Sequence, residues 1–192
     1  MTRMVLLGPP GAGKGTQAVR ICQRLSIPAI STGDIFRANV SRGTELGERA
    51  RQYMDRGEYV PDSVTNAMVA DRLTEADAAQ GFLLDGYPRT EAQVHELDAM
   101  LADSGLALDV VLEITADAEV VVDRLLRRAT EQNRADDTEP VIRRRLEVYA
   151  EATAPLASLY EDRGLLVRVD GTGDVDEVTE RIMTALASRT TA

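Results

Sequence analysis

The stretch Gly8-Pro9-Pro10-Gly11-Ala12-Gly13-Lys14-Gly15-Thr16 constrains this 192-residue chain more than any other. It follows a short all-apolar run, Met4 to Leu7, and leads into a helical pattern from Lys14 to Leu25 with Ala18, Cys22 and Leu25 on one face. A buried strand that turns through glycines into a helix has the build of a phosphate-binding loop. Glycines admit positive φ, so successive backbone N–H groups can turn inward around phosphate oxygens. The helix N-terminus adds unpaired donors and a positive dipole. Lys14 brings a point charge to the outer phosphates of a nucleotide. A turn that only joined strand to helix would need neither the lysine nor so many glycines.

Strand and helix patterns then alternate along the chain. Buried runs recur at Phe82-Leu83-Leu84, closed by Asp85-Gly86, at Asp109 to Ile114 and at Leu165 to Val169, with Ala29-Ile30 as a short fifth strand. Helical stretches separate them, at about 33–40, 46–54, 63–75, 91–103, 118–128, 140–162 and 175–187. This alternation predicts βαβ units: an α/β, three-layer fold of the P-loop NTPase type, with a five-stranded parallel sheet and helices on both faces. Two segments stand outside the compact pattern: residues 44–62, with Gly57-Glu58-Tyr59-Val60-Pro61, and the polar run 128–138. Such excursions read as surface loops or as lids.

Charge and composition exclude several function classes. With 44% apolar residues a real core is expected, built from aliphatics because aromatics are 4% and Trp is absent. A net charge of −10 argues against tracking a nucleic-acid backbone or an anionic membrane surface. It does not argue against a small anionic ligand, because local arginines can dominate a cleft. Cys22 is the only cysteine, which excludes an internal disulfide and a cysteine zinc site. No apolar stretch approaches a membrane span. A soluble, cytoplasmic protein is the expectation.

Further blocks carry a resemblance. Ser31-Thr32-Gly33-Asp34-Ile35-Phe36-Arg37, Gly81-Phe82-Leu83-Leu84-Asp85-Gly86-Tyr87-Pro88-Arg89, Arg134-Ala135-Asp136-Asp137 and Thr153-Ala154-Pro155-Leu156 stand in order after the glycine loop. With that loop, whose lysine is followed by Gly15 and then Thr16, they resemble the adenylate kinase family over nearly the whole chain. The resemblance implies a single nucleoside monophosphate kinase domain, 1–192, with an AMP-binding segment 32–61 and a short lid 128–138 that lacks the zinc-binding cysteines of longer-lid members. It implies Mg²⁺ accompanying ATP, no zinc, the partners ATP, AMP and ADP, and a monomer. ATP would lie against Gly11, Ala12, Gly13, Lys14, Gly15 and Thr16, with Arg124 and Gly173 near its base and Asp85 holding Mg²⁺ through water. AMP would lie against Thr32, Arg37, Glu58, Tyr59 and Val60. Gly86, Tyr87, Pro88, Arg89 and Gln93 would complete its site. Lys14, Arg89, Arg128, Arg134 and Arg145 would serve the transfer, Arg128 from the ATP side and Arg134 and Arg145 from the AMP side.

Each of these residues also has a plainer reading. Thr32 fits a helix N-cap, and Thr90 with Gln93 fits a capping box. Asp85 fits a turn cap, and Arg37 alone a solvated charge. Arginine runs on acidic proteins usually pair with surface carboxylates. Residues 143–145 turn about 100° per position, so all three cannot face one ligand. Arg127, Arg143 and Arg144 are therefore read as solvated, and His95 as a surface residue. AMP phosphate is already ionised at neutral pH, its second pKa being about 6, so transfer needs no general base. The rival readings are a UMP/CMP kinase of the same fold, a guanine-dependent switch, whose Asn-Lys-x-Asp stretch is absent, and a nucleotide-binding module without catalysis.

Overall fold

The computed structural model describes residues 1–132 and 138–190. Strands β1 (Thr2–Leu7), β2 (Ala29–Ser31), β3 (Gly81–Asp85), β4 (Val110–Thr115) and β5 (Leu166–Asp170) form one sheet in the order β2-β3-β1-β4-β5. Every neighbouring pair is parallel. The helices are α1 (Lys14–Leu25), α2 (Thr32–Arg42), α3 (Glu45–Met54), α4 (Asp62–Leu73) and α5 (Glu91–Ala102), then α6 (Ala118–Gln132), α7 (Glu139–Val148), α8 (Leu156–Asp162) and α9 (Val175–Thr190). The expected α/β layering is present.

Strand alternation sorts the core onto two faces. Met4, Leu6, Leu83, Leu112 and Ile114 point to one side, where Ala18 and Ile21 of α1 and Val178 and Ile182 of α9 cover them. Val5, Leu7, Phe82, Leu84 and Val111 point to the other, under Val69 of α4, Leu97 of α5 and Tyr160 of α8. Both faces are apolar, which is why these strands read as continuous runs. Two smaller clusters lie apart from the sheet. Phe36, Ala50 and Val60 knit α2 and α3 to the loop after them. Val121, Leu125 and Ile142 join α6 to α7.

The structure departs from the expected helices in two places. The stretch expected as one helix over 140–162 is α7, a π-helical turn Tyr149–Thr153, and α8. Pro155 explains the break: it has no N–H to give and its ring crowds the carbonyl four residues back. Ala154 N–H reaches Tyr149 O, five residues away, at 2.8 Å. Also, α6 runs on to Gln132, through residues expected in the polar lid. Arginine, glutamate and glutamine extend an existing helix without needing a core face.

Among the described residues no helix is long and apolar enough to cross a membrane. Cys22 is buried in the α1 face of the core, and burial pushes its thiol up to about 11.

Candidate active site

All five strands run the same way, so their C-terminal ends gather on one edge of the sheet. There β1 enters the glycine loop, β2 enters α2, and β3 ends at Asp85. Ligands of open α/β sheets bind at this carboxyl edge. Two adjoining cavities open there.

The first cavity lies over the glycine loop. Gly11 and Gly13 take φ of 86° and 93°, and Gly13 is the left-handed N-cap of α1, without a side-chain cap. Its wall includes Gly11, Ala12, Gly13, Gly15 and Thr16, then Arg124 and Arg128 of α6, Gly173, and Asp85. The Arg124 guanidinium donates to Gly171 O at 3.3 Å, tying α6 to the loop after β5. Lys14 Nζ donates to Gly8 O at 2.7 Å and Pro9 O at 3.0 Å, across the mouth of the loop. Enclosure of its ammonium lowers the Lys14 pKa to about 8. Asp85 opposes that shift, and the nearby cations Arg89, Arg145 and Arg128 add to it.

The second cavity lies between α2, the 57–60 loop, the start of α5 and the π turn. Glu58, Tyr59, Val60, Thr32, Pro88 and Gln93 line it. Gly86 sits at its floor with φ of 82°; a Cβ there would lie 2.7 Å from Thr32 Oγ1 and 2.9 Å from an Arg89 guanidinium nitrogen. Only glycine admits that approach. Arg89 Nε donates to Gly86 O at 2.7 Å, and its guanidinium lies over the Tyr59 ring, 4.8 Å from the centroid. Thr153 Oγ1 donates to Arg89 O at 2.8 Å, so the Tyr59 hydroxyl, 2.7 Å away, donates to Thr153 in turn.

Pro10, Lys14, Gly33, Arg37, Gly86, Arg89 and Arg145 line both cavities and so mark their junction. On a chain of net charge −10, the junction gathers a lysine and three arginines. Such a convergence stabilises anions arriving from both sides.

Local contacts decide between the two readings of several residues. Ser31, not Thr32, caps α2, accepting from Asp34 N–H at 3.3 Å. Thr32 is buried and donates to Gly86 O at 2.9 Å. Thr90 does cap α5, accepting from Gln93 N–H at 3.2 Å, and Gln93 lines the second cavity as well. Arg37 pairs with Asp34 at 2.6 Å. Arg143 pairs with Glu139 at 2.7 Å and Arg144 with Glu147 at 3.3 Å, on the exposed side of α7. His95 is exposed, 3.7 Å from Glu91.

Tyr87 differs from expectation. Its ring is fully buried in the core under the sheet, its hydroxyl donating to Asn66 at 2.9 Å, and it lines neither cavity. The expectation for Arg134 falls outside the described residues. Phe36, Met54, Thr65, Tyr149 and Thr153 line the second cavity, and exposed Arg127 the first, although sequence reasoning gave them no part in the site.

The adenylate kinase family model matches residues 6–165. The chain belongs to the adenylate kinase family. An adenylate kinase of Kocuria rhizophila is 66% identical over 186 residues, covering 97% of this chain and 99% of that protein. One of Thermobifida fusca is 64% identical over 187 residues, again covering 97% and 99%. One of Micrococcus luteus is 56% identical over 188 residues, covering 98% and 92%. Membership of the adenylate kinase family makes the chain a nucleoside monophosphate kinase, a phosphotransferase. The readings as a UMP/CMP kinase, as a guanine switch and as a non-catalytic module fall away.

Among the described residues no cluster of three or more His, Cys, Asp or Glu could hold a metal alone. The donor set instead suits magnesium, which keeps several waters and needs one or two carboxylates beside substrate phosphates. Asp85 is one partly exposed carboxylate on the glycine-loop cavity, close enough to Lys14 to oppose the lowering of the lysine's pKa.

Proposed function

We propose that the two cavities hold ATP and AMP with their phosphates meeting at the Lys14–Arg37–Arg89–Arg145 junction, where the γ-phosphoryl group passes between them in line. The observation that carries this reading is that junction: two adjoining cavities share one cationic rim.

ATP lies along the glycine loop, its phosphates on the amides of residues 11–16 and on Lys14. Arg124 and the backbone of Gly173 meet its base. Asp85 would hold magnesium through water, and the ion would supply positive charge to the phosphates. AMP lies in the second cavity, its phosphate clamped by Arg37 and Arg89, whose planar forks match phosphate oxygens. Glu58 backbone, Tyr59 and Val60 flank its base and Gln93 reads the edge. Arg128 and Arg145 face the transferring group, and the family resemblance assigns Arg134 to it as well. An AMP phosphate oxygen attacks the γ-phosphorus, the bond to the β-bridging oxygen breaks, and two ADP result. No residue removes a proton; the chain contributes positioning and charge stabilisation.

The small separate cores support two moving parts. The α2–α3 segment, within 32–61, and the α6–α7 pair each rest on a few buried residues apart from the sheet. Elements with few buried apolar contacts open at low cost. Their closure excludes water that would otherwise hydrolyse ATP. A soluble cytoplasmic monomer fits an enzyme whose one chain supplies both cavities.

A coupled assay of ADP formation from Mg-ATP with AMP, UMP or CMP tests the assignment. AMP is expected to turn over at least about tenfold faster than either pyrimidine nucleotide, since a site built to pair with a base loses that much when its polar groups go unpaired. Equal rates with UMP or CMP would contradict the reading of adenine by the second cavity.

A further inference from the structure

Asp62 opens α4 and lies outside the residues assigned above. Its Oδ1 accepts from Gln93 Nε2 at 2.7 Å, and its Oδ2 from the Thr90 hydroxyl at 3.1 Å. On its other side the Gln93 carboxamide oxygen accepts from Arg89 N–H at 2.7 Å. Gln93 is 1% exposed, yet it lines the second cavity.

These partners have fixed polarity. A carboxylate only accepts and a backbone amide only donates. A flipped carboxamide would set its oxygen against the Asp62 carboxylate and its NH₂ against the Arg89 N–H. Both contacts would turn repulsive, so the neighbours decide an orientation that is otherwise ambiguous. The amide keeps one N–H and one oxygen lone pair in reserve.

We propose that Asp62 is a specificity-determining positioning residue, which locks the Gln93 carboxamide in the orientation that fits a 6-aminopurine and opposes a 6-oxopurine. Adenine offers an acceptor at N1 and a donor at its 6-amino group, matching the spare N–H and the spare lone pair. Hypoxanthine offers a donor at N1 and an acceptor at O6, the inverse pattern, which only the flipped amide would match. The inference rests on Gln93 reading the base. The plainer role of Asp62, a negative charge in the first turn of α4, affects stability but not the choice of base.

The test measures dissociation constants of AMP and inosine 5′-monophosphate for the wild type, Asp62→Asn and Gln93→Leu, with ATP affinity and Tm as checks of folding. The carboxamide introduced by Asp62→Asn can itself turn to present either an oxygen or an NH₂, so the Asp62 half of the lock is released while the Arg89 N–H contact and the shape are kept. The AMP-over-IMP preference is expected to fall roughly tenfold in Asp62→Asn, the scale of one charge-assisted hydrogen bond. KM for AMP should rise with kcat near the wild-type value and ATP affinity unchanged. If Gln93→Leu abolishes the preference while Asp62→Asn leaves it intact, Asp62 does not orient the amide. If neither variant changes it, Gln93 does not read the base, and both claims fall.

Discussion

Arg89→Ala lowers kcat by about 10³-fold or more, the range that a single arginine contributes to phosphoryl transfer. Arg89 stands where the two cavities meet, and its guanidinium is held by Gly86 O on one side and the Tyr59 ring on the other. A fork so anchored arrives at the phosphates without having to be ordered during the reaction. The links to Gln93 and Thr153 use the backbone N–H and C=O of residue 89, which alanine keeps. Stability should therefore fall by only about 1–2 kcal/mol, one hydrogen bond and one cation–π contact. Loss of a neighbouring cation should also let the Lys14 pKa rise, because Arg89 contributes to holding it down. The readings are kcat in the coupled ADP assay and Tm by thermal melting. Turnover near the wild-type rate would remove Arg89 from the transfer, and a collapse of the fold would contradict the small stability cost.

Lys14→Met lowers kcat/KM for ATP by about 10²–10³-fold, the usual result of removing one preorganised donor from developing negative charge. Its effect on the ligand-free fold has an unusual sign. Lys14 titrates near 8 when folded against 10.5 otherwise, chiefly because burial disfavours the cation. The folded state therefore bears the full penalty below about pH 8, and the penalty is relieved as pH rises from 8 towards 10.5. The wild type should gain stability relative to the methionine variant across that window, while its neutral amine still donates to Gly8 O and Pro9 O. ATP binding has the opposite demand, because polyphosphate favours the cation. KM for ATP should rise with pH above 8 in the wild type. Melting curves without nucleotide from pH 7 to 10, with KM over the same range, measure both. A pH-independent Tm difference between the two proteins would contradict the assignment.

The sheet was legible from sequence because its central strands β1, β3 and β4 are largely buried on both faces and each crossover carries a helical period. The glycine loop was legible because its chemistry is written in backbone freedom and one lysine. Side-chain direction was not. Ser31 and Thr32 are adjacent hydroxyls at a helix start, and only the fold decides that the first caps α2 while the second turns to Gly86 O. Gln93 was poised between a structural and a base-facing reading. It serves its helix through its backbone N–H, which Thr90 accepts, while its side chain bonds Asp62 and Arg89 N–H at the cavity wall. Tyr87 sits inside a site block yet turns its ring into the core, a choice made by the packing under β3. The π turn was hidden because Tyr149–Thr153 has ordinary helical composition. Its register shift is what aims Thr153 at Arg89 O and Tyr59. Apolar lining residues such as Phe36 and Met54 carry no signal that separates a cavity wall from a core.

If one continuous site lets two nucleotides meet phosphate to phosphate, a single ligand that spans it should fill both halves. Titration of the bisubstrate compound in which five phosphates join two adenosines tests this most directly. The expected result is one molecule bound per chain, displacement of both ATP and AMP, and stabilisation of about 4 kcal/mol at a thousandfold excess over Kd. Binding of two molecules per chain, or displacement of ATP with AMP still bound, would contradict it.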